Sequence, residues 1–543
     1  MVTIALSAQD NAIHALSDEL RSDMKSGSEP GFSIAIVTGE HSSSTLSFGL
    51  ANMEWQEPND EETLFHCASI AKHITAIAVL MLRDQGDLRL DQPIKDFLGE
   101  FRYLSDTISI RHLLSHTSGI RDQWPLLEWA GWRGNDTITT QDVLELLKLQ
   151  KGSNFEPGDA FLYCNSGYTL LALLVSIIAN EPFSQFVERR IFEPLGMKTS
   201  RIAKLPTEIV RRRAEGYSRT VNSDGSSIIE RFSPSLFVEG STSFLTCADE
   251  FLVWMKACTS NTIWAKYVQE MAKPQIISNG QQIPYGFGLF ISNVDENKIA
   301  FHTGGDFGFS AYFGLSQSTK SALAVFANGP IANLRTICNR YLAGIHKDEK
   351  EVTISVPMGR TIPGGLEVIQ SWKRRAGYYR NDLGDLLRLT VTDVQVSIER
   401  GQLVVLIPEN KNEARTSDGD QYWFDNEGEG NDCLYSSTLF GEEVWHRIGS
   451  GQSSASVDPS TFRGTYYSPE TQSIISVDFA GQDPVIRFPK TTPVRFENVV
   501  GNLFWSRSMW IEMHGGQDCP PTILVSTQRC FGVKFLLQPN ASH

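Results

Sequence analysis

The sequence predicts an α+β domain of catalytic size followed by two small antiparallel β-barrels. Three observations carry this. Two seams divide the chain: the charge run His346–Glu351 with the prolines and glycines after it, and the small polar stretch Gly449–Ser456. Before the first seam, helical and strand patterns alternate. After it come short alternating runs bounded by turn residues, the pattern of small barrels or sandwiches. The expected domains are residues 1–346, 357–449 and 457–543.

In the first domain, SIAKHITAIAVLMLRDQGDL reads as a helix ending near Gly86. SGYTLLALLVSIIANE is apolar on most faces and reads as a buried helix. GFSIAIV and SALAVFAN are apolar and read as strands. In the later domains LLRLTV, QLVVLI, SIISVDF, TILVS and VKFLL supply the strands. The two start alike. RRAGYYRNDLGDLLRLTV (374–391) and TFRGTYYSPETQSIISVDF (461–479) each carry a glycine, a tyrosine pair, a polar turn and an alternating strand, which marks an internal repeat.

Composition narrows the function. The 543 residues are 41% hydrophobic and 20% charged, an ordinary globular balance. A net charge of −15 argues against binding to nucleic acid or anionic membranes, which need basic patches. The apolar runs Ile74–Leu82 and Tyr168–Ala179 are shorter than the ~20 residues of a membrane span. The first residues lack a basic start followed by an apolar core, so no signal peptide is expected and a cytoplasmic location is. The eight cysteines form no CxxC pair, and free buried thiols are expected. His112 and His116 have no HExxH glutamate between them and read as structural. No metal and no organic cofactor is expected.

One set of residues points to chemistry. Ser69-Ile70-Ala71-Lys72 opens the first strong helix, and positions i and i+3 share a helix face. The helix N-terminus stabilises negative charge developing at Ser69. Lys72 can accept the serine proton if a water-poor site keeps its amine partly neutral. Alone, SxxK also fits a helix cap followed by a solvated lysine. Tyr163-Cys164-Asn165 precedes the buried helix, and His302-Thr303-Gly304-Gly305 lies on a strand pattern.

The ordered series SxxK, YxN and HTGG resembles the penicillin-recognising serine hydrolases: class C β-lactamases, DD-peptidases and related esterases and aminopeptidases. HLLSHTSG (112–119), PLGM (194–197) and YGFG (285–288) extend the likeness across residues 10–345. The resemblance implies a β-lactamase/DD-peptidase-like domain, an antiparallel sheet with flanking helices. It implies Ser69 as nucleophile, Lys72 and Tyr163 as the proton shuttle, and His302 as a further catalytic residue. Asn165 would hold the substrate amide or the lysine, and the N–H groups of Ser69 and Gly305 the oxyanion. Gly304 and Gly305 would let substrate backbone lie along the strand.

The third motif begins with histidine, where β-lactamases and DD-peptidases carry a carboxylate-holding lysine. With the two appended barrels (lipocalin-like, eight strands each), this resembles the D-aminopeptidase branch. The implied substrate is a small peptide, amide or ester with a free N-terminal amine, and a homodimer is implied as well. A last-domain loop would gate the site and place an acid against the substrate ammonium. The expected loop is His514-Gly515-Gly516-Gln517, with Asp518 as the acid and Asp483 as competitor. A broad esterase, D-amino-acid amidase or weak β-lactamase is the alternative, and an inactive ligand-binding homologue the other. Cys67, two residues before Ser69, reads either as a reagent-sensitive thiol or as a packed apolar residue.

Overall fold

The computed structural model describes residues 8–538 except 22–28, 40–41, 103, 135, 222–226, 233–234, 295–296, 307, 345–364, 393–394, 401, 410–411, 417–419, 425–432, 439–440, 449–458, 507 and 517–518. The first domain is built on a six-stranded antiparallel sheet. Its strands are β1 (Phe32–Thr38), β2 (Ser42–Phe48), β3 (Phe290–Val294), β4 (Asn297–Asp306), β5 (Phe309–Ser316) and β6 (Ser321–Ala327), in the order β3-β4-β5-β6-β1-β2.

The apolar run of β1 has a simple cause: both faces of the strand are covered. Ile34 and Ile36 face the cluster formed with helix α1 (Ala8–Leu20) and the helix Leu334–Leu342. Ala35 and Val37 face the main helical core. Helix α2 (Ala71–Gln85) is buried at every residue from Ala71 to Leu80 and ends on Gly86 in the left-handed region. Helix α3 spans Gln123–Trp129. Helix α4 (Asn165–Ala179) packs on α2 and ends on Asn180, also left-handed. Among the described residues no single helix is long and apolar enough to cross a membrane.

The strands from Gly377–Asn381 to Gly441–Arg447 form a closed eight-stranded barrel. The last domain is a nine-stranded sheet instead of the eight expected. Its edge strands, Val494–Arg495 and Glu497–Val500, are one chain segment interrupted by the buried Phe496. A kink at that residue sends the two halves to opposite neighbours, so the sheet nearly closes on itself.

The repeat is visible in three dimensions. Each barrel opens with a short helix, then a glycine at φ 150 (Gly377) or 157 (Gly464), a backbone region open to glycine. Two residues on, Tyr379 and Tyr466 are fully buried. Their hydroxyls donate to the carbonyls of Arg375 (2.5 Å) and Phe462 (2.9 Å), each four residues back.

The last barrel is docked firmly on the first domain. Arg121 Nη1 meets Glu470 Oε2 at 2.5 Å, with both side chains almost fully buried. Arg121 also donates to the carbonyls of Phe531 (3.0 Å) and Gly532 (3.2 Å). Trp129 Nε1 donates to Met509 Sδ at 3.4 Å. The two barrels pack on each other through Leu386, Leu503, Trp505 and Trp510.

A buried ion pair stripped of one partner leaves a charge without compensation. Glu470→Ala is therefore expected to destabilise the protein by about 3–5 kcal/mol, read as a lower denaturant midpoint. Asp478→Ala, which removes the exposed Arg463–Asp478 pair, serves as the control and should leave the midpoint unchanged.

Candidate active site

Ser69 stands in a 3-10 turn, Ala68–Ile70, that feeds directly into α2. Ala68 holds φ 46, a left-handed conformation costly for a residue with a Cβ. Strand β4 presses against this turn: a Cβ on Gly304 would lie 2.4 Å from the Cys67 carbonyl oxygen. A Cβ on Gly305 would meet nothing within 4 Å. The two glycines thus have different reasons. Gly304 lets the strand touch the turn, and Gly305 leaves the cavity open.

Lys72 is fully buried one turn into α2. Its Nζ lies 2.9 Å from Ser69 Oγ, 2.8 Å from Asn165 Oδ1 and 2.8 Å from the Ser241 carbonyl oxygen. Burial lowers its amine to about 7, partly opposed by the Asp122 carboxylate and reinforced by the Arg529 guanidinium. Asn165 therefore holds the lysine. Its own N–H and Nδ2 donate to Asp122 Oδ2 at 2.6 and 2.8 Å. Asp122 in turn caps α3 by accepting from Trp124 N at 3.1 Å.

Tyr163 lines the same cavity as Ser69. Burial pushes the Tyr163 phenol far above its ordinary range, partly opposed by the Ser69 side chain, so it stays protonated. Lys72 Nζ sits 4.9 Å from the centre of its ring. His302 lines the same cavity but is 1% exposed, and burial drives its imidazole well below the usual range. It is neutral. Its Nδ1 donates to the Thr303 carbonyl at 2.6 Å, and Nε2 has no partner among the described residues. His112 and His116 are structural: His112 completes a helix cap with Ser109, and His116 Nδ1 accepts from Cys164 N at 3.1 Å. Cys67 is fully buried with its thiol pushed well up, so it belongs to the packing.

The sequence model of the family described as beta-lactamase matches residues 16–346. This chain belongs to the β-lactamase family. A penicillin-binding protein of Bacillus subtilis (strain 168) is 30% identical over 277 residues, which are 49% of this chain and 60% of that protein. A D-aminopeptidase of Cereibacter sphaeroides (strain KD131 / KCTC 12085) is 26% identical over 334 residues, 60% of each chain. Both matches thus span about three fifths of the relative's length. The solved octameric penicillin-binding protein homologue from Pyrococcus abyssi shares the fold at a TM-score of 0.55 and 21% identity, over 80% of this chain and 99% of that one. That coverage exceeds residues 16–346, so the likeness in fold runs on into the barrels.

Within this β-lactamase fold the cleft holds about 640 Å³. Trp124, Leu127, Trp132, Ile138, Leu236 and Phe290 form its apolar wall. Glu128, Asp306, Arg133 and Arg529 supply charge. Asp306 Oδ2 accepts from Thr242 (3.0 Å) and lies 3.2 Å from His66 Nε2, while burial raises the Glu128 carboxyl.

The last barrel reaches the cleft through described residues outside the expected loop. Gln517 and Asp518 lie outside the described residues. The strand before them, Met509–Gly516, is held elsewhere: Glu512 pairs with Arg380 of the middle barrel at 2.9 Å, His514 lies 3.5 Å from Glu512, and Gly515 packs on Phe462. His514 and Gly515 are not among the described residues that line the cavity. Asp483 pairs with Arg495 at 2.7 Å. Among the described residues of the last domain, Thr491 and Arg529 line the cleft, the second from the turn between strands Cys519–Thr527 and Cys530–Leu537. Sequence reasoning also missed Asp122 and Ser241. An N-cap pattern was the signal for Asp122, and none existed for Ser241, Thr491 and Arg529.

Lys72 serves as base only when unprotonated. Below a pH of about 7, kcat/KM for a neutral ester should fall by about tenfold per unit, and a profile flat through that region would exclude Lys72 as the base. The glycines should separate as well. Gly304→Ala is expected to cost about 1–3 kcal/mol by displacing the Ser69 turn, whereas Gly305→Ala should keep the melting temperature and raise KM.

Proposed function

We propose that this serine hydrolase of the β-lactamase family releases N-terminal D-amino acids from short peptides, amides and esters through an acyl-enzyme on Ser69. The observation that carries the hydrolytic part is the buried, near-neutral Lys72 amine 2.9 Å from Ser69 Oγ. Lys72 takes the serine proton as Oγ attacks the carbonyl carbon. The new ammonium is shared by Asn165 Oδ1 and the Ser241 carbonyl. Tyr163, kept protonated by burial, relays the proton: it gives its own to the leaving group and takes one from the Lys72 ammonium, which restores the neutral amine. Ser69 and Gly305 both line the cavity, and their N–H groups would hold the oxyanion, each worth about 3–4 kcal/mol. Water then releases the acyl group.

The D-selective part is supported by relatives named D-aminopeptidase, at 26% and 23% identity. The apolar wall suits a small uncharged side chain. Asp306 and Glu128 are the described carboxylates lining the cavity and are candidates to meet a substrate ammonium, beside Asp518, which lies outside the described residues.

The test compares D-alanine p-nitroanilide with its L-isomer and its N-acetyl derivative. Preferential release from the free D-isomer is expected, and equal rates on all three would remove both the stereochemical and the amine requirement. Ser69→Ala should lower kcat/KM by more than about a thousandfold and abolish fluorophosphonate labelling.

A further inference from the structure

The two carboxylates of the cleft differ in what already holds them. Asp306 Oδ2 accepts from Thr242 at 3.0 Å and lies 3.2 Å from His66 Nε2. The Glu128 carboxylate, on α3, has no hydrogen-bond or ion-pair partner among the described residues. Burial alone raises it, with no nearby cation to offset the effect. Arg133 and Arg529 line the same cavity without pairing to Glu128, and Arg529 stands 3.7 Å from Asp122. What accompanies Glu128 is aromatic and aliphatic. Trp124 lies four residues before it, on the same face of α3. Trp132 follows the helix end. Gly131, at φ 94, closes α3: its N–H donates to the Glu128 carbonyl at 3.0 Å, and the Trp132 N–H returns to the Leu127 carbonyl at 3.0 Å. These two bonds make a Schellman turn, which fixes the main chain at Trp132. The last barrel backs this turn, since a Cβ on Gly131 would lie 2.8 Å from Pro489 Cβ. Both tryptophans pack on the main core and line the cleft.

A primary ammonium carries three N–H donors, and each needs an acceptor. The lining between Trp124 and Ile138 supplies one acceptor side chain, Glu128. An alkylated ammonium has fewer donors to satisfy. Its spread charge is attracted by indole faces and by a carboxylate with no fixed partner. We propose that Glu128, Trp124 and Trp132 form a cation receptor that admits a quaternary ammonium, so that the substrates include amides and esters of N-methylated amino acids. This rests on the hydrolase reading above and extends it, from the free N-terminal amine to its alkylated forms. It also divides the two carboxylates: Glu128 supplies charge among apolar walls, and Asp306 stays engaged with Thr242 and His66.

The test is direct binding by calorimetry to the full chain carrying Ser69→Ala, which prevents turnover. N,N,N-Trimethyl-D-alanine p-nitroanilide is compared with its uncharged isostere, the matching enantiomer of 2,3,3-trimethylbutanoic acid p-nitroanilide, and with D-alanine p-nitroanilide. The trimethylammonium compound should bind at least about tenfold tighter than the isostere, as expected for a cation between a carboxylate and indole faces. It should also bind no more weakly than the free amine. Adding Glu128→Gln or Trp132→Leu should each bring the ratio of cation to isostere toward one, and Trp132→Phe should keep part of it. Equal binding of cation and isostere, binding of none of the three, or a ratio that survives Glu128→Gln would overturn the proposal. So would exclusion of the trimethylammonium compound while the free amine binds, which would place the amine on a receptor for N–H donors such as Asp306. An equal loss for cation and isostere in Trp132→Leu would do the same, as the mark of a merely structural wall. Release of p-nitroaniline from D-alanine p-nitroanilide by the chain with Ser69 intact is read separately. Turnover without cation preference removes the receptor and keeps the hydrolase, and preference without turnover does the reverse.

Discussion

An ammonium taken out of water costs several kcal/mol unless it sheds its proton or finds acceptors for all its donors. Lys72 does both in part, and the site is arranged around that. Its depth is set by α2, which is buried along most of its length. Its acceptors are Ser69, the first residue of α4 and the Ser241 carbonyl. The same burial that lowers the amine makes it a usable base beside the serine.

The support extends outward in one line. Asn165 faces Lys72 and is held by Asp122; Asp122 caps α3 and gives its N–H to the Arg529 carbonyl. The docking of the last barrel is thus continuous with the positioning of the base. Through the Arg529 charge the barrel also pushes the amine down, against the pull of Asp122. The closed middle barrel touches the last one through an aromatic cluster and the Arg380–Glu512 pair. It steadies the domain that forms the cleft wall.

What was legible in the sequence was local. Gly86 and Asn180 mark helix ends because left-handed positions favour glycine and asparagine. The run FSIAIV is a strand because both its faces are covered. SxxK, YxN and HTGG each place side chains on one short element, and all three meet in one cavity. The barrel repeat showed as a tyrosine pair, since each copy needs the same inward hydroxyl bond. What stayed hidden depends on contacts between distant segments. The loop around Asp518 looked open because its flanks are glycine and proline. The strand leading to it is tied to the middle barrel by Glu512, and the turn at Arg529 lines the same cavity as Ser69. Nothing in TQRC announces that its carbonyl will meet the cap of α3. The depth of His302 was likewise hidden, since its burial depends on strands and helices distant in sequence.

The central claim is that Lys72 is close to half-protonated at neutral pH in the folded, substrate-free protein. The most direct measurement is titration of the chain labelled at lysine Cε with carbon-13, with the Lys72 signal assigned through Lys72→Met. The account predicts a midpoint at about 7, well apart from the other lysines. A Lys72 midpoint in the ordinary lysine range, about 10.4, would contradict it, because the amine would then be charged at neutral pH and unable to take the Ser69 proton.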